Sequence, residues 1–288
     1  MFKIVKKEIL APSLTKFVIE APLIARKRRA GNFAIIRVNE TGERIPLTIV
    51  DSDAETGTIT LIVQTVGKTT KLMSLQEQGS YLLDVVGPLG NPTPIELYGT
   101  AVCIGGGVGT AEVFPIAKAL KDAGNYVITI VGARNKELVI LEDELRAFCD
   151  KVYITTDDGS YGRKGFVSEQ LRDLLNSDWR IDVVYAIGPV IMMKVISEMT
   201  KPYNIPTFVS LNPIMMDGTG MCGACRVSVG GKMKFACVDG PEFDGHQVDF
   251  DELIKRNRTY IDLEKLSMEK FESELCRLTG QTKEVAHG

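Results

Sequence analysis

Between residues 101 and 211 the chain alternates short apolar runs with stretches of helical periodicity, and this alternation restricts its possible architectures more than any other feature. AVCI (101–104), YVITIVG (126–132), VYITT (152–156), DVVYAI (182–187) and TFVSL (207–211) are near-continuous apolar segments. Strands that read this way are covered on both faces. TAEVFPIAKALKDA (110–123), LEDELRAFC (141–149), FVSEQLRDLL (166–175) and VIMMKVISEM (190–199) lie between them, with apolar residues at helical spacing. Alternating strand and helix imply a parallel, doubly wound α/β sheet, here assigned to residues 99–212.

Residues 1–98 follow a different pattern. FVIE (17–20), FAIIRV (33–38), TITLIVQT (58–65) and YLLDVV (81–86) are rich in β-branched and aromatic residues, and Gly, Asn and Asp clusters separate them. Short strands at this spacing predict a small antiparallel β-barrel. Regular pattern disappears over 213–250, where Gly, Cys and Asp dominate, and 251–288 reads as a charge-laced helical tail. The 288 residues are 44% hydrophobic and 25% charged, enough for about two domains. A net charge of −3 gives no reason to expect a nucleic acid partner, and Arg26, Lys27, Arg28 and Arg29 read as a solvated basic run. No segment approaches the ~18 apolar residues of a membrane span. MFKIVKKEIL has no signal-peptide core, so a cytoplasmic location is expected. Disulfides are disfavoured there. Cys103, Cys149 and Cys276 fit as inert residues within apolar or helical segments.

The other three cysteines form a cluster. Asp217-Gly-Thr-Gly-Met-Cys222-Gly-Ala-Cys225 is followed, after eleven residues, by Cys237. Plant-type [2Fe–2S] sites use C-x4-C-x2-C and a distant fourth cysteine. This loop has that spacing with Asp217 in the first slot. Gly218, Gly220 and Gly223 let the backbone wrap closely and aim N–H groups at sulfur. Two other readings stand beside it: zinc held by the cysteines with His246 as a further ligand, or Asp217 as a turn residue only.

Three further segments suit phosphate. Gly105-Gly106-Gly107-Val108-Gly109-Thr110 joins a buried strand to a helix whose N-terminus favours negative charge. Gly188-Pro189 is a second turn at the carboxyl end of the sheet. In the barrel half, Arg44-Ile-Pro46-Leu47-Thr48 offers a guanidinium and a hydroxyl, and Val66-Gly67-Lys68-Thr69-Thr70 offers backbone and hydroxyl donors.

The motif order R-x-P-L-S/T, GGGxGxA, G-P and a cysteine loop ending C-V-D-G-P resembles the ferredoxin–NADP reductase superfamily. Within it the chain resembles the electron-transfer subunits of dihydroorotate dehydrogenase. It is still more similar to the small subunits of NADH-dependent reduced ferredoxin:NADP oxidoreductases, the sulfide dehydrogenase type. The resemblance runs from Met1 to about Asp251 and implies an FAD-binding barrel followed by an NAD(P)-binding domain. It implies that Arg44 binds the FAD pyrophosphate and that Thr48, the catalytic candidate, lies near flavin N5. Pro46 and Leu47 would line the isoalloxazine, Gly67, Thr69 and Thr70 would hold FAD phosphate, and Val63 joins the cofactor-binding set. Gly106, Gly107, Gly109 and Thr110 would face the nicotinamide cofactor, with Asp157, Asp158 and Gly188 near its site. Cys222, Cys225 and Cys237 match the cluster ligands. The dihydroorotate relatives carry cysteine where this chain has Asp217, and the oxidoreductase small subunit is where aspartate is expected. Ala111-Glu112 departs from the common Ala-Pro.

The activity so implied is hydride exchange between nicotinamide and FAD, then single-electron transfer through the [2Fe–2S] cluster to a larger flavin and [4Fe–4S] subunit. That partner splits electrons between ferredoxin and this branch. A free-standing reductase and a regulatory module with a vestigial cofactor site are the alternatives. The second parallel strand ends Gly132-Ala-Arg134-Asn-Lys136, without the acidic residue that receives a ribose 2′-hydroxyl. Arg134 therefore points to NADP(H), whereas the resemblance implies NAD(H).

Overall fold

The computed structural model describes residues 1–279 of the chain. Eight strands form the N-terminal part: β1 (Phe2–Ala11), β2 (Leu14–Glu20), β3 (Phe33–Arg37), β4 (Arg44–Thr48), β5 (Asp51–Asp53), β6 (Thr58–Gln64), β7 (Tyr81–Leu82) and β8 (Asp84–Leu89). Every pairing among them is antiparallel. They divide into two sheets, β5-β6-β2-β1-β7 and β4-β3-β8. Alternate residues of both point inward, among them Phe17, Ile19, Ile59 and Leu61 from one and Ala34 and Ile36 from the other, so the expected barrel closes around one shared core. Two short helices, α1 (Pro22–Ala25) and α2 (Lys68–Ser74), complete this half.

The second half alternates as its sequence predicts: β9 (Thr100–Gly106), α3 (Gly109–Asp122), β10 (Tyr126–Ala133), α4 (Glu142–Arg146), β11 (Lys151–Thr156), β12 (Arg163–Lys164), α5 (Val167–Leu175), β13 (Val183–Ile187), α6 (Val190–Thr200) and β14 (Thr207–Ser210). These six strands run β12-β11-β10-β9-β13-β14, and β17 (Glu242–Asp244) joins at the β14 edge to make a sheet of seven with β9 at its centre. The β9, β10, β11, β12, β13 and β14 pairings are parallel. Side-chain alternation explains why both faces read apolar. Ala101, Cys103, Val183 and Tyr185 meet Val113, Ile116 and Leu120 of α3. Val102, Ile104, Val184 and Ala186 meet Leu171 of α5 and Met193 and Ile196 of α6. Each such Leu, Ile or Val contributes about 1.5–3 kcal/mol by burial.

The segment 213–250, without regular pattern in its sequence, contains local order. β15 (Arg226–Val229) and β16 (Lys232–Phe235) form a hairpin turned at Gly230 and Gly231, whose φ angles of 58° and 72° suit glycine. A short α7 (Ala236–Asp239) carries Cys237, and β17 then pairs antiparallel with β14. In the tail, α8 (Phe250–Asn257) inserts Phe250 and Leu253 into the core under the sheet, and α9 (Ile261–Thr279) lies against α2. The remainder of the predicted tail lies outside the described residues. No helix among those described is long and apolar enough to cross a membrane.

Candidate functional site

The chain leaves β9 in one direction towards β10 and β11, then returns to build β13 and β14 on the other side. Open α/β sheets bind ligands at such a switch point. A cavity of about 720 Å³ opens there. Gly107 adopts φ 59° with open space where a Cβ would stand, and its N–H donates to Gly132 O at 2.8 Å, pinning the turn to β10. A Cβ at Gly109 would collide with the Ile187 carbonyl, so this glycine lets α3 start directly against β13. Gly106, Gly107, Arg134, Asp157 and Gly188, all expected at the nicotinamide site, line the cavity. Gly109 and Thr110 do not line it: they are buried beneath it, and the Thr110 hydroxyl has no partner among the described residues. Asp158 is exposed, and its Oδ1 accepts from Ser160 Oγ (2.6 Å) and Ser160 N (2.9 Å). Those bonds hold its carboxyl below the ordinary range.

The cavity's far wall comes from the barrel, through Leu14 and Gln64. Strand β4 presents Arg44, Pro46, Leu47 and Thr48, all half-buried. Arg44 Nη1 pairs with Asp84 Oδ2 at 2.9 Å, and its Nε donates to Met216 O at 2.8 Å, one residue before Asp217. The flavin-phosphate candidate is thus anchored to the cysteine loop. Glu112, on the first turn of α3, lines the cavity as well. Burial raises its carboxyl to about 7, and the Thr48 hydroxyl opposes that shift. At the other barrel segment, Gly67 precedes α2 with nothing near its missing Cβ. Thr69 is buried. The Thr70 hydroxyl accepts from the N–H groups of Val66 (3.0 Å) and Gly67 (3.1 Å), so it caps its own helix. The Val63 side chain lies in the barrel core.

In the cysteine loop, Cys225 and Cys237 are buried with their sulfurs 3.2 Å apart. Burial, then the neighbouring Cys225 thiol, raises the Cys237 thiol above its ordinary range. Half-buried Asp217 and exposed Cys222 form a second pair. Asp217 Oδ1 accepts from Thr219 N (3.1 Å), and its Oδ2 accepts from Cys222 N (3.0 Å) and Thr219 Oγ1 (3.2 Å). These bonds, the one from Thr219 N foremost, hold the carboxyl below its ordinary range. Among the described residues no three metal-ligating side chains converge. The donor chemistry nevertheless fits a cluster: two buried thiols already lie side by side, in a loop whose Gly218, Gly220 and Gly223 take positive φ and can turn backbone N–H groups towards sulfur. His246 sits apart, with Nε2 2.9 Å from Thr200 Oγ1. That leaves zinc without its expected fourth ligand.

Sequence reasoning did not single out Leu14, Gln64 or Glu112 for this site. Leu14 and Gln64 reach it only through the packing of one half on the other. For Glu112 there was a signal: a carboxyl directly after the Gly-rich turn, where Ala-Pro is common.

Paired antiparallel sheets beside a doubly wound sheet, with a cavity at their junction, are the architecture of NAD(P)-linked, flavin-dependent reductases. A ferredoxin NADP+ reductase from Neisseria gonorrhoeae shares the fold at 18% identity, with a TM-score of 0.59 over 70% of this chain and 90% of that one. Residues 212–249 match the iron-sulfur cluster binding domain of dihydroorotate dehydrogenase B. A dihydroorotate dehydrogenase B (NAD(+)) electron transfer subunit homolog from Thermotoga maritima is 51% identical over 93% of this chain and 95% of its own. The chain belongs to this family of electron-transfer subunits. A structure solved in work on flavin-based electron bifurcation, that of an NADH-dependent reduced ferredoxin-NADP oxidoreductase, is also similar. It matches at 49% identity with a TM-score of 0.90, over 94% of this chain and 98% of that one.

Proposed function

We propose that this chain exchanges a hydride between NAD(H) and FAD and passes single electrons through an iron–sulfur cluster to a larger flavoprotein partner, within an electron-bifurcating ferredoxin:NADP oxidoreductase complex. The observation that carries this reading is the cavity at the switch point, walled on one side by Gly106, Gly107 and Gly188 and on the other by the barrel residues Leu14 and Gln64. A nicotinamide dinucleotide laid along the sheet edge would reach a flavin in the barrel there. The close match to the oxidoreductase structure supports the assignment to the bifurcating type.

Bound FAD supplies two-electron acceptance with one-electron release, and the cluster carries electrons singly. The chain's own work is positioning. Arg44 holds flavin phosphate, Pro46 and Leu47 flank the ring, and Thr48 stands at its reacting edge. Gly67 and Thr69 back the FAD phosphate turn. Gly107 and the start of α3 receive the nicotinamide pyrophosphate, with Arg134 and Asp157 at its ribose. Cys222, Cys225 and Cys237, with Asp217, hold a [2Fe–2S] cluster, which requires the two observed pairs to close together around the metal. Residues 1–98, 99–212 and 213–250 are the FAD, nicotinamide and cluster units. The larger subunit carries flavin and [4Fe–4S] clusters and meets ferredoxin, and the complex works in the cytosol.

The electron-transfer role in dihydroorotate dehydrogenase is the second reading, favoured by the family model over 212–249. Isolation of the native complex separates the two. A second chain that is reduced by NADPH and passes electrons to ferredoxin supports the first reading. A second chain reduced by dihydroorotate would overturn it.

A further inference from the structure

The basic run that follows α1 divides in the fold. Arg26, Lys27 and Arg29 are exposed, as a solvated run should be, whereas Arg28 turns inward and is half-buried. Its Nε and Nη2 donate to Ile49 O at 3.2 and 2.8 Å, and Nη2 also donates to Val50 O at 2.7 Å. Burial disfavours this charge more than nearby Asp51 favours it. Among the described residues its side-chain hydrogen bonds go to these two carbonyls and not to a carboxylate.

Ile49 and Val50 are the two residues by which the chain crosses from β4 in one barrel sheet to β5 in the other. The Ile49 N–H donates to Asn32 O (3.1 Å) on the β3 side, and the Val50 N–H donates to Thr60 O (2.9 Å) on β6. Arg28 takes both carbonyls of the crossing from a base that is itself fixed. Its own N–H donates to Ile24 O (2.9 Å), and the Arg29 N–H donates to Asn32 Oδ1 (2.9 Å). The Ile49 side chain enters the barrel core. Val50 belongs to a separate cluster with Leu14, Ile62, Ala111 and Ile140, where the barrel meets the start of α3. Thr48 immediately precedes the crossing, and Ala111 follows the Gly-rich turn on the first turn of α3.

We propose that Arg28 is a positioning residue for hydride exchange: by fixing the crossing at Ile49 and Val50, it sets how closely the flavin strand of the barrel approaches the start of α3. Lysine keeps the charge but lacks the planar fork that holds two adjacent carbonyls. The inference rests on the reading that flavin lies along β4 and nicotinamide against the Gly-rich turn. The hydride leaves nicotinamide C4 with both electrons of its bond and forms the N–H bond at flavin N5. A misplacement of about 1 Å slows such a transfer about a hundredfold.

The test uses the full chain loaded with FAD and its cluster, as wild type, Arg28→Met and Arg28→Lys. Rapid mixing with NADH gives the limiting rate of flavin bleaching and its half-saturation. Amide hydrogen exchange, without NADH, follows residues 49–51 and 109–113. Arg28→Met should keep FAD content, iron content and half-saturation, lower the limiting rate about tenfold to a hundredfold, and speed exchange at both segments. Arg28→Lys should recover part of the rate. Reduction by dithionite, which needs no nicotinamide, should run alike in all three. A wild-type limiting rate in Arg28→Met would overturn the proposal, as would a loss accounted for by missing flavin, or unchanged exchange at 109–113. Val50→Ala leaves the clamp intact and thins the contact with Ala111, so it should show the same split of rate from half-saturation. If Arg28→Met does not fold, a wild-type rate in Val50→Ala overturns the proposal. A wild-type chain that NADH does not reduce overturns the functional reading and the positioning role with it. A wild type that is reduced, with variants that match it, overturns the positioning role alone.

Discussion

At Glu242 three parts of the chain meet. It stands on β17, and its Oε1 accepts from Thr93 Oγ1 at 2.5 Å, while its Oε2 is buried with no partner among the described residues. Gly31, at φ 84°, leaves the space: a Cβ there would collide with the Thr93 hydroxyl and approach Glu242 Oε1 to 2.9 Å. Burial raises Glu242 from 4.5 to about 7, against the opposing Thr93 hydrogen bond. A carboxyl raised on folding contributes fully below its unfolded value and loses that contribution as pH rises towards its folded one. Stability should therefore fall between pH 4.5 and about 7, by about 3 kcal/mol from this group. Glu242→Gln should flatten that slope in urea denaturation series. An unchanged slope would mean that Glu242 ionises freely in the folded protein.

Asp217 poses a different residue-scale question, because it organises its own loop through Thr219 and Cys222. Asparagine keeps an acceptor for those N–H groups but is a poor iron ligand. Asp217→Asn should lower iron per chain and alter the paramagnetic resonance spectrum. Asp217→Cys, which restores the all-thiolate pattern, should retain a cluster with a lower midpoint potential. Wild-type iron content and spectrum in Asp217→Asn would make Asp217 a turn residue alone.

The elements of the α/β half were the most legible in the sequence, because burial on two faces writes an unbroken apolar run. The run 126–132 became β10, Tyr126–Ala133, and the helical pattern 110–123 became α3, Gly109–Asp122. Where one element contributes few residues, legibility failed. The pattern 141–149 yields only Glu142–Arg146 as helix. The β15–β16 hairpin had a signal, two short runs around Gly230-Gly231, hidden by the cysteines beside it. Strand β17 had none, since three residues pair with β14 only through tertiary structure. Within the candidate site, the glycines were legible from their turn chemistry, but the meeting of Glu112 with Leu14 and Gln64 around one cavity depends on how the two halves dock. The tail reads differently at its two helices. A chain ending at Asp249 loses Phe250 and Leu253 from the core, at about 1.5–3 kcal/mol each. A chain ending at Tyr260 loses α9, where Leu263 and Leu266 are exposed, and should change stability by under about 1 kcal/mol. Thermal denaturation of the two truncations checks this order, and equal losses would refute it.

Across the whole molecule, Arg44 ties the barrel to the cysteine loop by bonding Asp84 and the carbonyl of Met216, 172 residues away. Arg44→Ala should weaken FAD binding by roughly 1.5–3 kcal/mol, as expected for a charge-assisted bond. Titration with FAD measures that loss, and undiminished affinity would remove Arg44 from the flavin site.

Strand β17 closes the edge of the nucleotide sheet with residues that follow the last cysteine of the loop. The cluster region is therefore no interchangeable cassette. A chain cut before it would expose the bare rim of β14, an invitation to pair with a neighbour's strand. During synthesis the sheet must wait for nearly the whole polypeptide before its border is sealed. Engineers who wish to exchange one metal-binding module for another in this scaffold must transplant the border strand too, or supply a substitute hem.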